Sequence, residues 1–421
     1  MERSSSTTAG PGLRGWLVAL AGMGINLALG VLYTWSLFKG AIEQQFGWKG
    51  EQLNDPYALC CLVFALTMTV AGRCQDRWGP RLTATLGGLL VGTGMVLIST
   101  TQNYALWLLG FGVLVGMGIG FGYASATPPA LKWFPPQRTG LVAGLVVSGF
   151  GLAPVYLAPL SQYLLGHFGL QRSMLILGLG FVVMVCGLAQ LLVNPPAPEA
   201  PTGPAGTSGS ATVRAVAAGT PPGIMLRQGR FWWLWFLYFV GAGAGLMVIG
   251  SISGMARKSM GDWAFLAVAI LAVGNAGGRI LAGALSDRLG RRETLTLVLG
   301  LQALLMFVAI PVTAGAGVPG WVVVLVAACI GANYGANLAL FPSFSKDLWG
   351  LKHFGLNYGL LFTAWGAGGL VLPRLQQMLT AHSGGSYTTS FVTAGVLLVL
   401  AALLTLRLPA APPAAAARAA A

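Results

Sequence analysis

The amino-acid sequence predicts an all-α membrane protein arranged as two bundles of six helices. Three observations lead there: a charge content too low for water, twelve apolar stretches of spanning length, and a motif repeated at one spacing in the two halves. Of 421 residues, 55% are hydrophobic and 8% charged, with a mean hydropathy of +0.74. A soluble domain carries about a quarter charged residues, so the main solvent here is lipid. The 62 glycines suit close helix–helix contact in a bilayer. The net charge of +14 is spread in short groups between apolar segments, which reads as topology rather than as a nucleic-acid stripe. Cys60, Cys61, Cys74, Cys186 and Cys329 show no CxxC spacing, so neither a disulfide framework nor a metal site is supported. No metal and no cofactor are expected.

A spanning helix needs ~20 apolar residues. Such stretches fall near 14–40, 56–76, 82–101, 105–131, 140–166 and 172–194, then near 229–256, 264–285, 294–314, 319–342, 355–379 and 387–407. The first is too long for a cleavable signal and carries no cleavage site. Between the halves lies "NPPAPEAPTGPAGTSGSATVRAVAAGTPPG", Asn194 to Gly223, whose Pro, Gly, Ala and Thr content and lack of apolar period predict a flexible linker. The expected organisation is an N-terminal tail over 1–13, a first bundle over 14–194, a linker over 195–228, a second bundle over 229–407 and a C-terminal tail over 408–421.

The halves resemble each other. "GRCQDRWGPR" (Gly72–Arg81) matches "GALSDRLGRR" (Gly283–Arg292) at Gly, Asp, Arg, Gly and the final Arg, with an offset of 211. Gly140 and Gly144 recur as Gly355 and Gly359, offset 215, in the fifth span of each half. A duplicated six-helix unit points to a repeat-built membrane carrier. The termini, the linker and the loops after spans 2, 4, 8 and 10 hold 17 Lys and Arg, against six on the other side (Lys39, Lys49, Arg172, Arg257, Lys258 and Arg374); with Arg279 these account for all 24. Both termini are therefore expected to be cytoplasmic, in a multi-pass protein of the cell inner membrane.

The paired loops suggest a gate. Asp76 and Asp287 can face helix N-termini or nearby arginines and so latch the cytoplasmic ends in one state; Arg77 and Arg81, and Arg288 and Arg292, belong to the same motif. Ordinary positively charged loops would not produce two copies at one offset. "GMGIGFGYA" (Gly116–Ala124) has the look of a dinucleotide fingerprint, but it lies inside a span with no strand before it. It reads as small residues for tight helix packing.

Arg279 sits roughly two turns into span 8, ~12 Å from Asp287 at ~1.5 Å per residue. A snorkelling arginine lies nearer the interface. The ten Asp and Glu residues all lie in loops, tails or at span ends, which leaves this intramembrane cation without a side-chain counter-ion. That predicts an anionic substrate, since a guanidinium fork matches a carboxylate. Asn26, Tyr33, Tyr123, Asn275, Asn333, Tyr334, Asn337, Tyr358 and Trp365 also project from spans where a central cavity would lie. Each alone is more often packing than site. Tyr33, Tyr123 and Tyr334 stand out because glycine-rich surroundings let a ring enter a cavity and its hydroxyl reach a carboxylate.

"GNAGGRILAGALSDRLGRR", "ALFPSFSKDLWG", "NYGLLFTAWGAGGLVLP" and the first-helix "WLVALAGMGINLALGVLYTWSLF" together resemble the oxalate/formate antiporter family of the major facilitator superfamily. The likeness covers nearly the whole membrane region. It implies the major facilitator fold and a carrier of small carboxylates, either an oxalate:formate exchanger or a lactate or pyruvate carrier. It also implies that Arg279 matches the helix 8 arginine of the exchanger and that Trp365 stands where the exchanger has a helix 11 lysine. Arg374, the next basic residue of that segment, lies more than two turns further on.

One central cation balances one carboxylate, and burying a second unpaired one costs several kcal/mol. A monocarboxylate is therefore expected: Arg279 binding it, Tyr33, Tyr123, Tyr334, Asn275 and Asn337 around it, and Trp365 setting tail size. The resemblance to animal monocarboxylate transporters implies an aspartate one turn before the arginine, where this chain has Asn275. If protons are cotransported, Asp262 at the outer end of span 8, or the substrate carboxylate itself, must carry them. Expected partners are the small carboxylate, protons, the lipid bilayer and no nucleic acid, with the chain acting as a monomer. A carboxylate sensor is disfavoured because no signalling domain follows the linker. No enzyme is expected, since no HExxH, GxSxG or paired aspartates appear in the spans.

Overall fold

The computed structural model describes residues 12–196, 219–260, 264–314 and 318–408. Asp262 lies outside them. Among the described residues there is helix and no strand, as expected where every backbone polar group must be satisfied inside its own segment.

Helix α1 runs Leu13–Leu29 and passes through the 3-10 turn Gly30–Thr34 into a short helix, Trp35–Phe46. Helices α2 (Asp55–Trp78) and α3 (Pro80–Ser99) follow. Asn103 caps the next stretch by accepting from the Ala105 and Leu106 N–H groups at 2.9 and 3.2 Å, and the chain then enters α4 (Gly116–Trp133) through a π-helical turn, Leu108–Val115. The long stretch Thr139–Ala189 is interrupted at Gly169 (φ 71°), which divides it into α5 (139–168) and α6 (170–189). The second half holds α7 (Gly229–Met260), α8 (Ala264–Leu289), α9 (Arg291–Ala314), α10 (Gly320–Trp349), α11 (Phe354–His382) and α12 (Thr388–Thr405). Ten helical stretches are long and apolar enough to cross a membrane; dividing one at Gly169 and adding the 29-residue α11 makes twelve long helices among the described residues.

Within the first half, α1 packs on α5, α3 on α6, and α4 on α1, α2 and α3; within the second, α8 packs on α10, α7 on α11 and α9 on α12. The halves meet along two seams, α2 with α11 and α5 with α8. Glycine sets their closeness. A Cβ on Gly72 would run into the Gly355 carbonyl, and one on Gly283 into the Gly140 carbonyl, so each seam is a backbone-to-backbone contact. Gly79 and Gly290, at the same motif position, turn the chain with φ of 85° and 103°, a conformation glycine adopts without steric cost.

Part of the stretch read as a flexible linker behaves otherwise. Residues 219–228 are held on the second bundle: the Thr220 N–H donates to the Trp349 carbonyl (2.8 Å), Asn357 Nδ2 to the Thr220 carbonyl (2.9 Å), and Trp349 Nε1 to Gln228 Oε1 (3.0 Å). Met225 is fully buried. Composition hides this, because the anchoring groups belong to α10 and α11.

Candidate functional site

Arg279 is fully buried in α8, one turn after Asn275. Its place is made by glycines. A Cβ on Gly278 would strike the Ala332 backbone of α10, and one on Gly144 of α5 would strike the Arg279 carbonyl, so α8 is clasped between α5 and α10. Gly151 leaves room for the guanidinium; a Cβ there would lie 3.3 Å from Nε. Arg279 Nε donates to Asn275 Oδ1 at 2.9 Å, and Nη1 donates to the Val147 carbonyl. Nη2 has no partner among the described residues, and no ion pair among them includes Arg279. A guanidinium held by two neutral acceptors keeps its full charge, and its remaining N–H groups favour an anion with in-plane oxygens.

A hydroxyl chain crosses beside it. Trp365 Nε1 of α11 donates to the Tyr334 hydroxyl of α10 at 2.9 Å, and the Tyr334 and Tyr33 hydroxyls are hydrogen-bonded at 2.9 Å, which ties both to α1. Tyr33 is half-buried, whereas Tyr334 and Trp365 are buried, and the Tyr33 phenol lies near enough to Arg279 to interact with it. The walls are aromatic. Phe150 stands edge-on to Tyr33 with centroids 5.1 Å apart, Phe362 stacks on Trp365 at 5.1 Å, and Phe64 lies 5.3 Å from Trp365 and 5.5 Å from Tyr123. Rings packed around a buried guanidinium exclude water, which suits the binding of a small anion.

Both motif loops lie at one end of the molecule, here called the latch end. Asp76 accepts from the Gly355 and Leu356 N–H groups, both at 3.1 Å, at the start of α11. Asp287 accepts from the Gly140 and Leu141 N–H groups at 2.8 and 2.9 Å, at the start of α5. Each aspartate therefore caps a helix N-terminus of the opposite half, where the unpaired N–H groups and the helix dipole favour negative charge.

A model of the Major Facilitator Superfamily matches residues 15–373 and 258–421. The chain belongs to that superfamily. It is similar to the oxalate:formate antiporter of Oxalobacter formigenes, 26% identical over 410 residues, covering 94% of this chain and 92% of that protein. It is also similar to monocarboxylate transporter 11 of Homo sapiens, 28% identical over 421 residues and covering 96% and 85%. A third relative is the uncharacterised transporter YhjX of Escherichia coli (strain K12), 28% identical over 364 residues and covering 84% and 86%. Two solved members share the fold: the proton:xylose symporter XylE (TM-score 0.68, 15% identity, covering 94% and 96%) and FucP in its outward conformation (TM-score 0.66, 16% identity, covering 92% and 98%).

Within this major facilitator fold, the residues singled out in the sequence separate into groups. Arg279, Asn275, Tyr33, Tyr334 and Trp365 come together. Tyr123 joins them through the aromatic wall, its ring edge-on to Phe150 with centroids 5.5 Å apart. Asn275 spends its carbonyl oxygen on Arg279, so it holds the arginine in place. Asn337 belongs to a different network: its Nδ2 donates to the Asn333 carbonyl at 2.9 Å and to Gln302 Oε1 at 3.4 Å, between α10 and α9. Asn26 donates to the Val146 carbonyl at 2.9 Å and ties α1 to α5. Of the motif arginines, Arg77, Arg81 and Arg288 are exposed, and Arg292 pairs with its neighbour Glu293 at 3.0 Å.

The sequence reading missed Arg291. Its guanidinium, not that of Arg292, bonds Asp287 at 2.7 Å and Asp347 at 2.8 Å and donates to Ser286 Oγ at 2.5 Å. Adjacent arginines in "GRR" left the choice to helix phase. Gly151, Val147, Phe64, Phe150 and Phe362 were missed as well. Gly151 alone left a sequence signal, since Gly144, Ser148 and Gly151 recur at i, i+4 and i+7 along one face of α5.

Proposed function

We propose that this protein is a secondary carrier of small monocarboxylates such as L-lactate and pyruvate, working by alternating access around Arg279. The observation that carries the reading is a fully buried guanidinium that, among the described residues, has no hydrogen-bond partner for Nη2 and no carboxylate beside it. A permanent cation there calls for an anion, and one cation balances one carboxylate. Trp365, whose indole N–H is spent on the Tyr334 hydroxyl, adds an apolar wall where the oxalate/formate resemblance implies a second cation. The similarity to a monocarboxylate transporter and to an oxalate:formate antiporter supports the substrate class.

In this mechanism the carboxylate docks on Arg279 beside the Tyr33–Tyr334–Trp365 chain and neutralises the buried charge. The bundles then close around it, and the latch seams open and re-form on the opposite stroke. The distribution of Lys and Arg supports an inner-membrane protein with cytoplasmic termini and linker and the latch end facing the cytoplasm. The carrier works as a monomer, and uptake is coupled to protons carried on Asp262 or on the substrate carboxylate.

Proteoliposome uptake of labelled L-lactate and labelled oxalate, with and without an inward proton gradient, tests this. Lactate uptake driven by the gradient is expected. Arg279→Lys should retain weak transport and Arg279→Gln should lose it; wild-type rates in the glutamine variant would sink the assignment of Arg279. The second reading is oxalate:formate exchange, favoured by 26% identity to such an antiporter across 94% of the chain. Oxalate uptake that needs internal formate and ignores pH would establish it and overturn the charge argument from Trp365.

A further inference from the structure

Residues 219–228 lie against the turn between α10 and α11, the turn that presents the Gly355 and Leu356 N–H groups to Asp76. They hold it from three sides. The Thr220 N–H donates to the carbonyl of Trp349, the last residue of α10, at 2.8 Å, and the Trp349 indole N–H donates to Gln228 Oε1 at 3.0 Å. Gly219, with φ 67°, brings its backbone onto Lys352 within the turn; a Cβ there would lie 2.7 Å from the Lys352 Cβ. In the first turn of α11, Asn357 Nδ2 donates to the Thr220 carbonyl at 2.9 Å. Gln228 also accepts from Arg230 Nε at 2.7 Å, which ties the stretch to the start of α7.

Joining the bundles does not account for this, since a polar, unanchored chain would supply the length. Asn357 is fully buried, and its Oδ1 has no hydrogen-bond partner among the described residues. A buried amide left half-satisfied costs free energy that an apolar residue would not incur, so the bond to Thr220 is what the amide adds. The matching position of the first half, at the offset of 215, holds Val142, which is also buried and cannot donate. There the chain enters α5 through the 3-10 turn Pro136–Arg138. Of the two matching helix starts, the amide therefore stands at the one that Asp76 caps. That is the seam whose aspartate has no ion pair among the described residues.

We propose that Asn357 and residues 219–228 form a positioning strap, which holds the start of α11 against the end of α10 so that the N–H groups Asp76 needs are aligned whenever the latch end closes. Donors fixed in advance lose less freedom on docking than donors the carboxylate must gather itself. Every bond named above stays on the second bundle, while Asp76 belongs to the first, so the strap acts on the seam without crossing it. Losing the strap leaves the seam open for more of the time. This rests on reading the aspartates as a latch and not on the identity of the substrate.

The test reads seam opening directly, with no substrate present. Gln75 of α2 is buried at this seam beside Gly355, so a charged maleimide reaches the thiol of Gln75→Cys only while the seam is open. The protein is the full chain in lipid nanodiscs with Cys74→Ser, and the rate is that in excess of the same protein without Gln75→Cys. Asn357→Ala should raise this rate about fivefold. Thr220→Pro, which deletes the N–H bonded to Trp349, should raise it too, and it keeps the test open should Asn357→Ala fail to fold. Asp76→Ala should raise the rate at least as much, and adding Asn357→Ala to it should change nothing more, because the strap acts through Asp76. Added to Asp287→Ala instead, the strap variant should multiply the rate. An unchanged rate in either folded strap variant overturns the proposal. So does a further fivefold gain on top of Asp76→Ala, which would mean that the strap serves the fold and not the aspartate. An unchanged rate in Asp76→Ala overturns the latch reading itself, and the strap falls with it.

Discussion

At one seam of the latch end, Asp76 meets two backbone N–H groups of α11 and has no ion-pair partner among the described residues. At the other, Asp287 meets two N–H groups of α5 and also binds Arg291, which reaches on to Ser286 and Asp347. Lys346 adds a further bond there, from Nζ to the Thr139 hydroxyl at 2.5 Å. The motif offset of 211 explains the asymmetry: Pro80 occupies the position that Arg291 holds in the second half, so the first seam has no matching arginine. What both seams keep is a carboxylate on a helix N-terminus and a glycine pair that lets backbones touch. Those two features are the common mechanism, and the arginine network strengthens one side of it.

The largest effects should be equal at the two seams. Leucine at Gly72 or at Gly283 would collide with a partner backbone carbonyl, so each should keep the latch end from closing and reduce uptake to background. Uptake surviving in one of them would show that its seam need not close. The aspartates should then divide the seams. Asp287→Ala removes a cap and one of the two carboxylates on the buried Arg291, which keeps Asp347, and is expected to cost about 2–4 kcal/mol, against about 1–2 kcal/mol for Asp76→Ala, which loses a cap alone. Unfolding in detergent reads both, and equal shifts would remove the distinction drawn between the seams. The smallest effect belongs to Arg292→Gln. Its pair with Glu293 is partly exposed, so a change within about 1 kcal/mol is expected; a larger loss would mean that the motif arginine, and not Arg291, carries the second seam.

Much of this architecture was readable along the chain. The twelve helices fall close to the twelve apolar stretches, because spanning a bilayer is a local property of length and hydropathy. The aspartates of the repeated motif could be singled out because a duplication at fixed offset is visible without any structure. Arg279 could be singled out because a charge is conspicuous among apolar neighbours. The difference between Arg291 and Arg292, the anchoring of residues 219–228, and Asn275 as the arginine's holder were not readable.

The sequence by itself determined how many helices there are, roughly where they end, and that one cation, Arg279, lies within a span of the second half. Only the tertiary structure decided which side chains meet. The reason is that helices apolar on every side carry no stripe to show which face turns inward. Facing is then set by where glycines let backbones approach and by which polar groups find partners. Tyr238 shows this most directly: "FWWLWFLYFV" gives it no distinction among its aromatic neighbours, and only the packing of α7 against α10 stacks its ring on Phe341 with centroids 4.0 Å apart.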